Sequence, residues 1–329
     1  MIDCSDKLLM IDADTLLFSS AAKEEVNKCL AKHVPTGREK LFESKTEFNT
    51  WLKANTKWNK EDFEFTVVKE LKPDYETWEE EDEEGNIQTY TKPVSRIANA
   101  CYSFKQKVAS IVEAVGAKDY FVCIQGEGNF RKTCPAKYVQ YKAQRGEKPI
   151  LFKELYDWVK VKYKHRCVVV DGEETDDYVV RAALAGNIVS ACDKDVFANS
   201  YGLFYNYMKP EDGVFVWTDE QRWKKYWWQT LCGDSGDNID GIVHLAQETK
   251  DKYSIKTKGV GGKTADTILD GCTTEKEAAE RVLEAYQLAW PEDGYERMKE
   301  MCFFLWMRRW EGQMFDLDSY LKELGVEYD

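Results

Sequence analysis

Carboxylates dominate the side chains of this 329-residue chain that could do chemistry. Asp12 closes the apolar run LLMI. Glu174, Asp176 and Asp177 follow CVVV in DGEETDD, and Asp193 and Asp195 follow IVSAC. Asp234 and Asp237 lie three apart in GDSGDNIDG, at what reads as the next helical turn. Acids at a helix N-terminus cap free amides and complement the dipole for about 0.3–1 kcal/mol, which would account for any one group alone. Capping does not require several groups to gather on one edge of a sheet. Two carboxylates ~4 Å apart repel by about 1 kcal/mol even at the dielectric constant of water, so a gathered set calls for cations. The histidines His33, His165 and His244 are far apart, and the ten cysteines include no C-x-x-C pair, so neither a zinc site nor a disulfide framework is readable. An all-oxygen set favours Mg2+ or Mn2+. The acids outnumber the needs of one octahedral ion, which points to two. Dications ~4 Å apart serve in-line attack on a phosphodiester and require no side-chain base.

Two further stretches bear on phosphate. KGVGGKTADTIL, from Lys258, has the look of a nucleotide-binding loop, but the Walker spacing places its first glycine five residues before the Gly-Lys pair, and that position is Thr257. What remains is a turn whose amides can approach a phosphate at a helix start, or a plain helix-joining turn. Residues 131–148 carry Arg131, Lys132, Lys137, Lys142, Arg145 and Lys148 against one acid, Glu147. This run reads either as a solvated surface or as a nucleic-acid grip, with Tyr138 and Tyr141 stacking on bases or packing internally. A net charge of −13 argues against a polyanionic partner at face value. Much of that excess comes from residues 61–84, with twelve acids and two lysines. That block reads as solvated.

The elements that must position these groups alternate. LLMI (8–11), YFVCI (120–124), CVVV (167–170) and IVSAC (188–192) read as strands, and FKELYDWVKVKY and DYVVRAALAG as helices, the latter with Gly186 as its C-cap. Alternation of this kind implies an α/β fold with a mainly parallel sheet, and open parallel sheets carry their sites at the carboxyl ends of strands. A polar insertion spans about 23–98, ending in the amphipathic helix ANACYSFKQKVASIVEAVG. Edge strands fall near 203–217, and a domain boundary near Val216 divides 1–217 from a helical 218–329. With 43% hydrophobic residues the chain can bury a real core. The run LLMIDADTLLF is interrupted by Asp12 and Asp14 and lacks a basic leader, so it reads as a buried strand rather than a signal peptide or membrane span. The scattered thiols fit a reducing cytoplasm.

In order, LLMIDAD, FRKTCPAKYVQYKAQR, EETDD, SACDKD, GDSGDNIDG and KGVGGKTA resemble the bacteriophage 5′-to-3′ exonuclease and flap endonuclease family, relatives of the 5′ nuclease domain of bacterial DNA polymerase I. The resemblance covers most of the chain. It implies a PIN-like fold with a helical arch (about 129–150) and a C-terminal helix-three-turn-helix, and an enzyme hydrolysing DNA or RNA-primed DNA at 5′ ends during phage replication, in the host cytoplasm. On this resemblance Asp12, Glu174, Asp176, Asp177, Asp193, Asp195, Asp234 and Asp237 are metal-site acids, with Asp12, Glu174, Asp176 and Asp193 in direct contact. Where the family carries an Asp after the second strand, IQGEGNFR offers Gln125 and Glu127. Lys142 and Arg145 match arch residues engaging the scissile phosphate, and Arg131 a further phosphate contact beside Lys132 and Tyr141. Gly259, Gly261, Gly262 and Lys263 match the hairpin that holds duplex phosphates, with K+ as a further ion, and residues 243–257 are an insertion into it. Implied partners are DNA with a 5′ end, as duplex, flap or RNA/DNA hybrid, and replication proteins such as a single-strand DNA-binding protein; no membrane is involved. The alternatives are a PIN-type ribonuclease and a catalytically inactive DNA-binding replication scaffold.

Overall fold

The structure, a computed structural model, describes residues 2–82 and 85–327. Along the chain the elements are β1 (Leu8–Asp12), α1 (Asp14–Ala22), β2 (Glu25–His33), β3 (Arg38–Phe42), α2 (Lys45–Ala54), β4 (Phe63–Leu71), β5 (Tyr75–Glu81), β6 (Ile87–Pro93) and α3 (Arg96–Val115). There follow β7 (Asp119–Gln125), α4 (Phe152–Lys162), β8 (Cys167–Val170), α5 (Thr175–Leu184), β9 (Ile188–Ser190), α6 (Lys194–Asn199), β10 (Gly202–Tyr205) and β11 (Val214–Trp217). The rest is helical: α7 (Asp219–Cys232), α8 (Gln247–Tyr253), α9 (Gly262–Leu269), α10 (Glu275–Ala289), α11 (Gly294–Leu305) and α12 (Leu317–Leu324). The chain divides into two compact units, one of residues 1–14, 110–146 and 166–329, the other of 15–109 and 147–165.

The first unit holds a six-stranded sheet ordered β11-β10-β9-β1-β7-β8. Every pairing is parallel except β10 with β11. This is the expected α/β architecture, a mainly parallel central sheet flanked by helices. β11 is an edge strand as expected, whereas β10 is an inner one. Met10, Cys123, Val189 and Phe204 from the strands pack with Val179 and Val180 of α5 in a buried apolar layer. From β1 the chain moves to one side through β7 and β8, then crosses to the other side of β1 at β9. Successive connections therefore leave β1 and β9 in opposite directions, and such a switch point opens a crevice beyond the strand ends. Asp12 ends β1, and Asp193 lies three residues past β9. Helices α7, α9, α10 and α11 pack around Trp227, Tyr226 and Tyr286, all fully buried. Thr218 caps α7 in a capping box with Gln221.

In the second unit the polar 23–98 insertion is folded. It forms an antiparallel sheet, β3-β2-β4, and a separate β5-β6 hairpin. The sheet buries one face only, where Phe42 and Phe48 pack with Trp51, Phe63 and Phe65. One-sided burial leaves charged residues on the other face, which masks the strands in the sequence. The acidic block falls on β4 and β5; its last residues, Glu83 and Glu84, lie outside the described residues. Among the described residues no helix is long and apolar enough to cross a membrane.

Candidate metal centre

Each acid reaches the strand-end edge by a local device. Asp12 is the last residue of β1, and its Oδ1 accepts the amide of Asp14 at 3.3 Å. Glu174 is the N-cap of α5, with Asp176 and Asp177 in the first turn. Asp193 caps α6 by accepting the amide of Asp195 at 3.0 Å. Asp234 and Asp237 lie not on a helix but in a tight turn after α7, where Asp234 and Ile239 exchange backbone hydrogen bonds of 2.7 and 2.8 Å. Gly233 makes that turn possible: its φ is +74°, and a Cβ there would lie 2.2 Å from the Ile239 carbonyl oxygen.

The acids differ in what meets their charge. Glu174 accepts from Asn129 (2.8 Å), from the Tyr141 hydroxyl (2.7 Å) and from Lys142. Asp237 faces Arg145 at 2.9 Å and Lys142 at 3.3 Å, and Asp234 faces Lys194 at 2.8 Å. Asp12, Asp176 and Asp193 have no ion pair, and the Asp176 side chain has no hydrogen-bond partner, among the described residues. Burial raises the Asp12 carboxyl well above the usual range, and Asp14 and Asp193 add to it. Asp176 is likewise raised well above, by burial and then by Asp193, Asp12, Glu174 and Asp195. Asp193 is raised by burial, and Asp195 well above the usual range by burial and the Asp193 charge. By these effects Asp193 acts on Asp12, Asp176 and Asp195, and Asp12 acts on Asp176. Asp195, Asp234 and Asp237 also offer oxygens that lie within 4.8 Å of one another. Oxygen donors this close suit hard divalent ions.

Other residues singled out in the sequence occupy different roles. Arg131 does not face a phosphate: it is 1% exposed and grips Asp177 through two hydrogen bonds of 2.7 and 2.8 Å. Asp177 is thereby spent on a buried ion pair. Burial alone would raise its carboxyl, but Arg131 and the Arg308 amide bring it below the usual range. Gln125 and Glu127 do not join the acids. The Gln125 carboxamide donates to Glu173 O (2.7 Å) and accepts from Thr175 N (3.2 Å), tying β7 to the start of α5, and Glu127 is exposed. The Tyr141 ring stacks on Phe304, with centroids 5.1 Å apart, so it packs rather than offering a face to a base.

Residues 129–150 contain no α-helix. Beyond a 3-10 turn at Phe130–Lys132 they run as turns and coil. Glu300 fastens them to α11 by accepting the amides of Lys137, Tyr138 and Val139 at 2.6–2.8 Å. The backbone of Lys142 donates to Asp237 O at 2.9 Å. A helix would use those amides internally; here a carboxylate and a turn claim them. Lys132 and Arg145 are exposed. At the glycine hairpin Val260 N donates to Ile242 O at 2.8 Å, and Gly261 caps α9. Gly259 and Gly262 are close-packing positions, where a Cβ would meet Val243 O at 2.4 Å and the Trp228 ring at 2.9 Å. Gly261 and Lys263 are exposed, and a cavity of about 310 Å³ lies between this hairpin and the 235–243 turn.

Sequence reasoning passed over several members of the site. Asp14 accepts Gln125 N (3.0 Å) and the Thr175 hydroxyl (2.8 Å), joining three strand ends. Its place two residues from Asp12 was the available signal. Lys194, Asn129 and Gln229 carry no sequence signal that separates them from surface or core residues.

No protein-family model matches the chain, and no curated protein does. Solved structures similar to it include the bacteriophage T5 flap endonuclease as a pseudo-enzyme-product complex with DNA and metal ions, at 12% identity and a TM-score of 0.34, over 62% of this chain and 90% of that one. The T5 protein co-crystallised with metal ions is 13% identical, with a TM-score of 0.35, over 62% and 92% of the two chains. A mutant of the T5 5′-exonuclease is 12% identical, with a TM-score of 0.34, over 68% and 91%. Likeness at this level carries no argument about what the chain does, so the function rests on the site.

Proposed function

We propose that the chain is a metal-dependent nuclease that hydrolyses phosphodiester bonds at or near the 5′ end of duplex, flapped or RNA-primed DNA. The observation that carries this reading is an acidic cluster: Asp195, Asp234 and Asp237 bring oxygens within 4.8 Å of one another, and Asp193 raises the carboxyls of Asp12, Asp176 and Asp195. Burying carboxylates together costs free energy that packing does not return, so the arrangement makes sense as a holder of cations. Asp12, Asp176 and Asp193 would hold one divalent ion, and Asp195, Asp234 and Asp237 another, Mg2+ or Mn2+ by their oxygen donors. When bound, such ions lower the pKa of water and offset charge on a phosphate. The chain's own residues do the rest. Lys142 bridges Glu174 and Asp237, which keeps an ammonium at the rim of the acids where a phosphate oxygen would sit. Arg145, with its side chain 60% exposed, extends that positive rim toward solvent. Preference for a 5′ end, for duplex contacts at Gly261 and Lys263, and for K+ at the hairpin is supported by the ordered motifs that resemble the 5′ nuclease family.

The test is an end-labelled 5′-flap, a blunt duplex and an RNA/DNA hybrid, each incubated with and without Mg2+. Release of short 5′ products only with Mg2+ is expected. Cleavage confined to RNA would instead make the chain a PIN-type ribonuclease, and DNA binding without EDTA-sensitive hydrolysis would make it a scaffold.

A further inference from the structure

Gln229, on α7, is completely buried among the second group of acids. Its Nε2 donates to Oδ1 of Asp195 and, at 3.4 Å, to Oδ2 of Asp234. Its Oε1 is buried and, among the described residues, has no hydrogen-bond partner. An unpaired buried polar atom is unfavourable, and an apolar side chain of similar length would avoid it, so packing of α7 does not explain an amide here. The neighbouring carboxylates do. Asp195, Asp234 and Asp237 each bring an oxygen within 4.8 Å of the others, and free carboxylates so placed swing apart. At Glu174 and Asp237 the holding is done by Lys142 and Arg145, whose charges cancel part of the negative charge. An amide donates the same kind of hydrogen bond and cancels none.

We propose that Gln229 is a positioning residue that holds Asp195 and Asp234 side by side for a divalent cation, fixing their direction without adding a positive charge of its own. The inference rests on the metal-dependent reading above and adds to it a residue that does not itself touch the ion or the substrate. Partners of this kind orient metal ligands, and their loss typically costs about 10- to 100-fold in metal affinity.

The experiment is Mn2+ binding to the nucleic-acid-free protein, followed by electron paramagnetic resonance, with thermal unfolding in EDTA alongside. Gln229→Met keeps the length and removes the donor. It is expected to weaken one of the Mn2+ binding events about 10- to 100-fold while the other stays as in the wild type. Gln229→Lys keeps a donor but brings a charge; its melting temperature in EDTA should match or exceed that of the wild type while the same binding event is weakened. A purely structural role predicts the opposite split for Gln229→Met, a lower melting temperature with unchanged Mn2+ affinity, and that result overturns the proposal. If Gln229→Met does not fold, Gln229→Asn, one methylene too short to reach both acids, decides in its place by the same criterion. Failure of the wild type to bind Mn2+ would overturn the nuclease reading itself, whereas normal binding by wild type and variants alike overturns only the role of Gln229.

Discussion

Two neighbouring sets of carboxylates on the strand-end edge have opposite electrostatic characters. Asp177 is answered by Arg131, and Glu174 and Asp237 share Lys142. Asp12, Asp176 and Asp193 are answered only by each other and, among the described residues, by no cation in contact. Within the first set the Asp177–Arg131 pair is an internal scaffold: a buried carboxylate with a bidentate guanidinium fixes the start of α5 against the loop after β7. The second set carries mutually repelling charge that a bound cation would offset. Residue type alone does not separate scaffold from site, since Asp176 and Asp177 are adjacent in the chain. What separates them is the direction each takes from the first turn of α5.

The comparison can be broken most forcefully at Asp176 or Asp193. Replacing either with Asn should lower nuclease activity by about 1,000-fold, the rate equivalent of several kcal/mol of lost metal-borne charge stabilisation. The same change should raise the melting temperature in EDTA, because it removes one repelling charge. A variant that is less stable than the wild type in EDTA and still cleaves at full rate would show that the uncompensated set is not a metal site.

Next in size is the compensated set. Asp177→Asn leaves Arg131 buried without its carboxylate and should cost about 3–5 kcal/mol, read from urea unfolding in EDTA. Opposite signs of stability change at adjacent residues, 176 and 177, are the sharpest form of the contrast; equal signs would erase it.

A smaller effect lies in pH. The carboxyls of Asp12, Asp176 and Asp195 are raised in the folded protein, so the folded state holds their protons more tightly than the unfolded one. Their contribution to stability is complete below the unfolded value of about 3.9 and is lost as pH rises through the raised range. Asp177 works the other way: its depressed carboxyl contributes above about 3.9, and the contribution is lost as pH falls through the folded value. In EDTA the melting temperature should therefore fall from mildly acidic to neutral pH, and saturating Mg2+ should remove that fall. A flat profile in EDTA would mean that the carboxyls of Asp12, Asp176 and Asp195 are not raised in the folded protein.

Much of the site was legible in the chain because strand-end acids follow from local pattern. An apolar run of four or five residues, then a polar turn, then an acid places that acid on the carboxyl edge of a parallel sheet, and Asp12, Asp193 and the group of Glu174, Asp176 and Asp177 lie there. The parallel sheet itself followed from alternation of strand and helix. Local pattern also misled. Basic residues 131–148 read as one surface grip, yet Arg131 lies in the interior and Arg145 in solvent, and the segment takes turns rather than helices because Glu300, far along the chain, claims three of its amides.

What the sequence alone determined is therefore which residues stand at the ends of elements, since hydrophobic period and turn chemistry act over a few neighbours. Only the tertiary structure decided which of those carboxylates meets a cation and which meets another carboxylate. Charge compensation depends on distances between groups tens to hundreds of residues apart, Arg131 with Asp177, Lys142 with Asp237 and Gln229 with Asp195, and no local rule reaches across such separations.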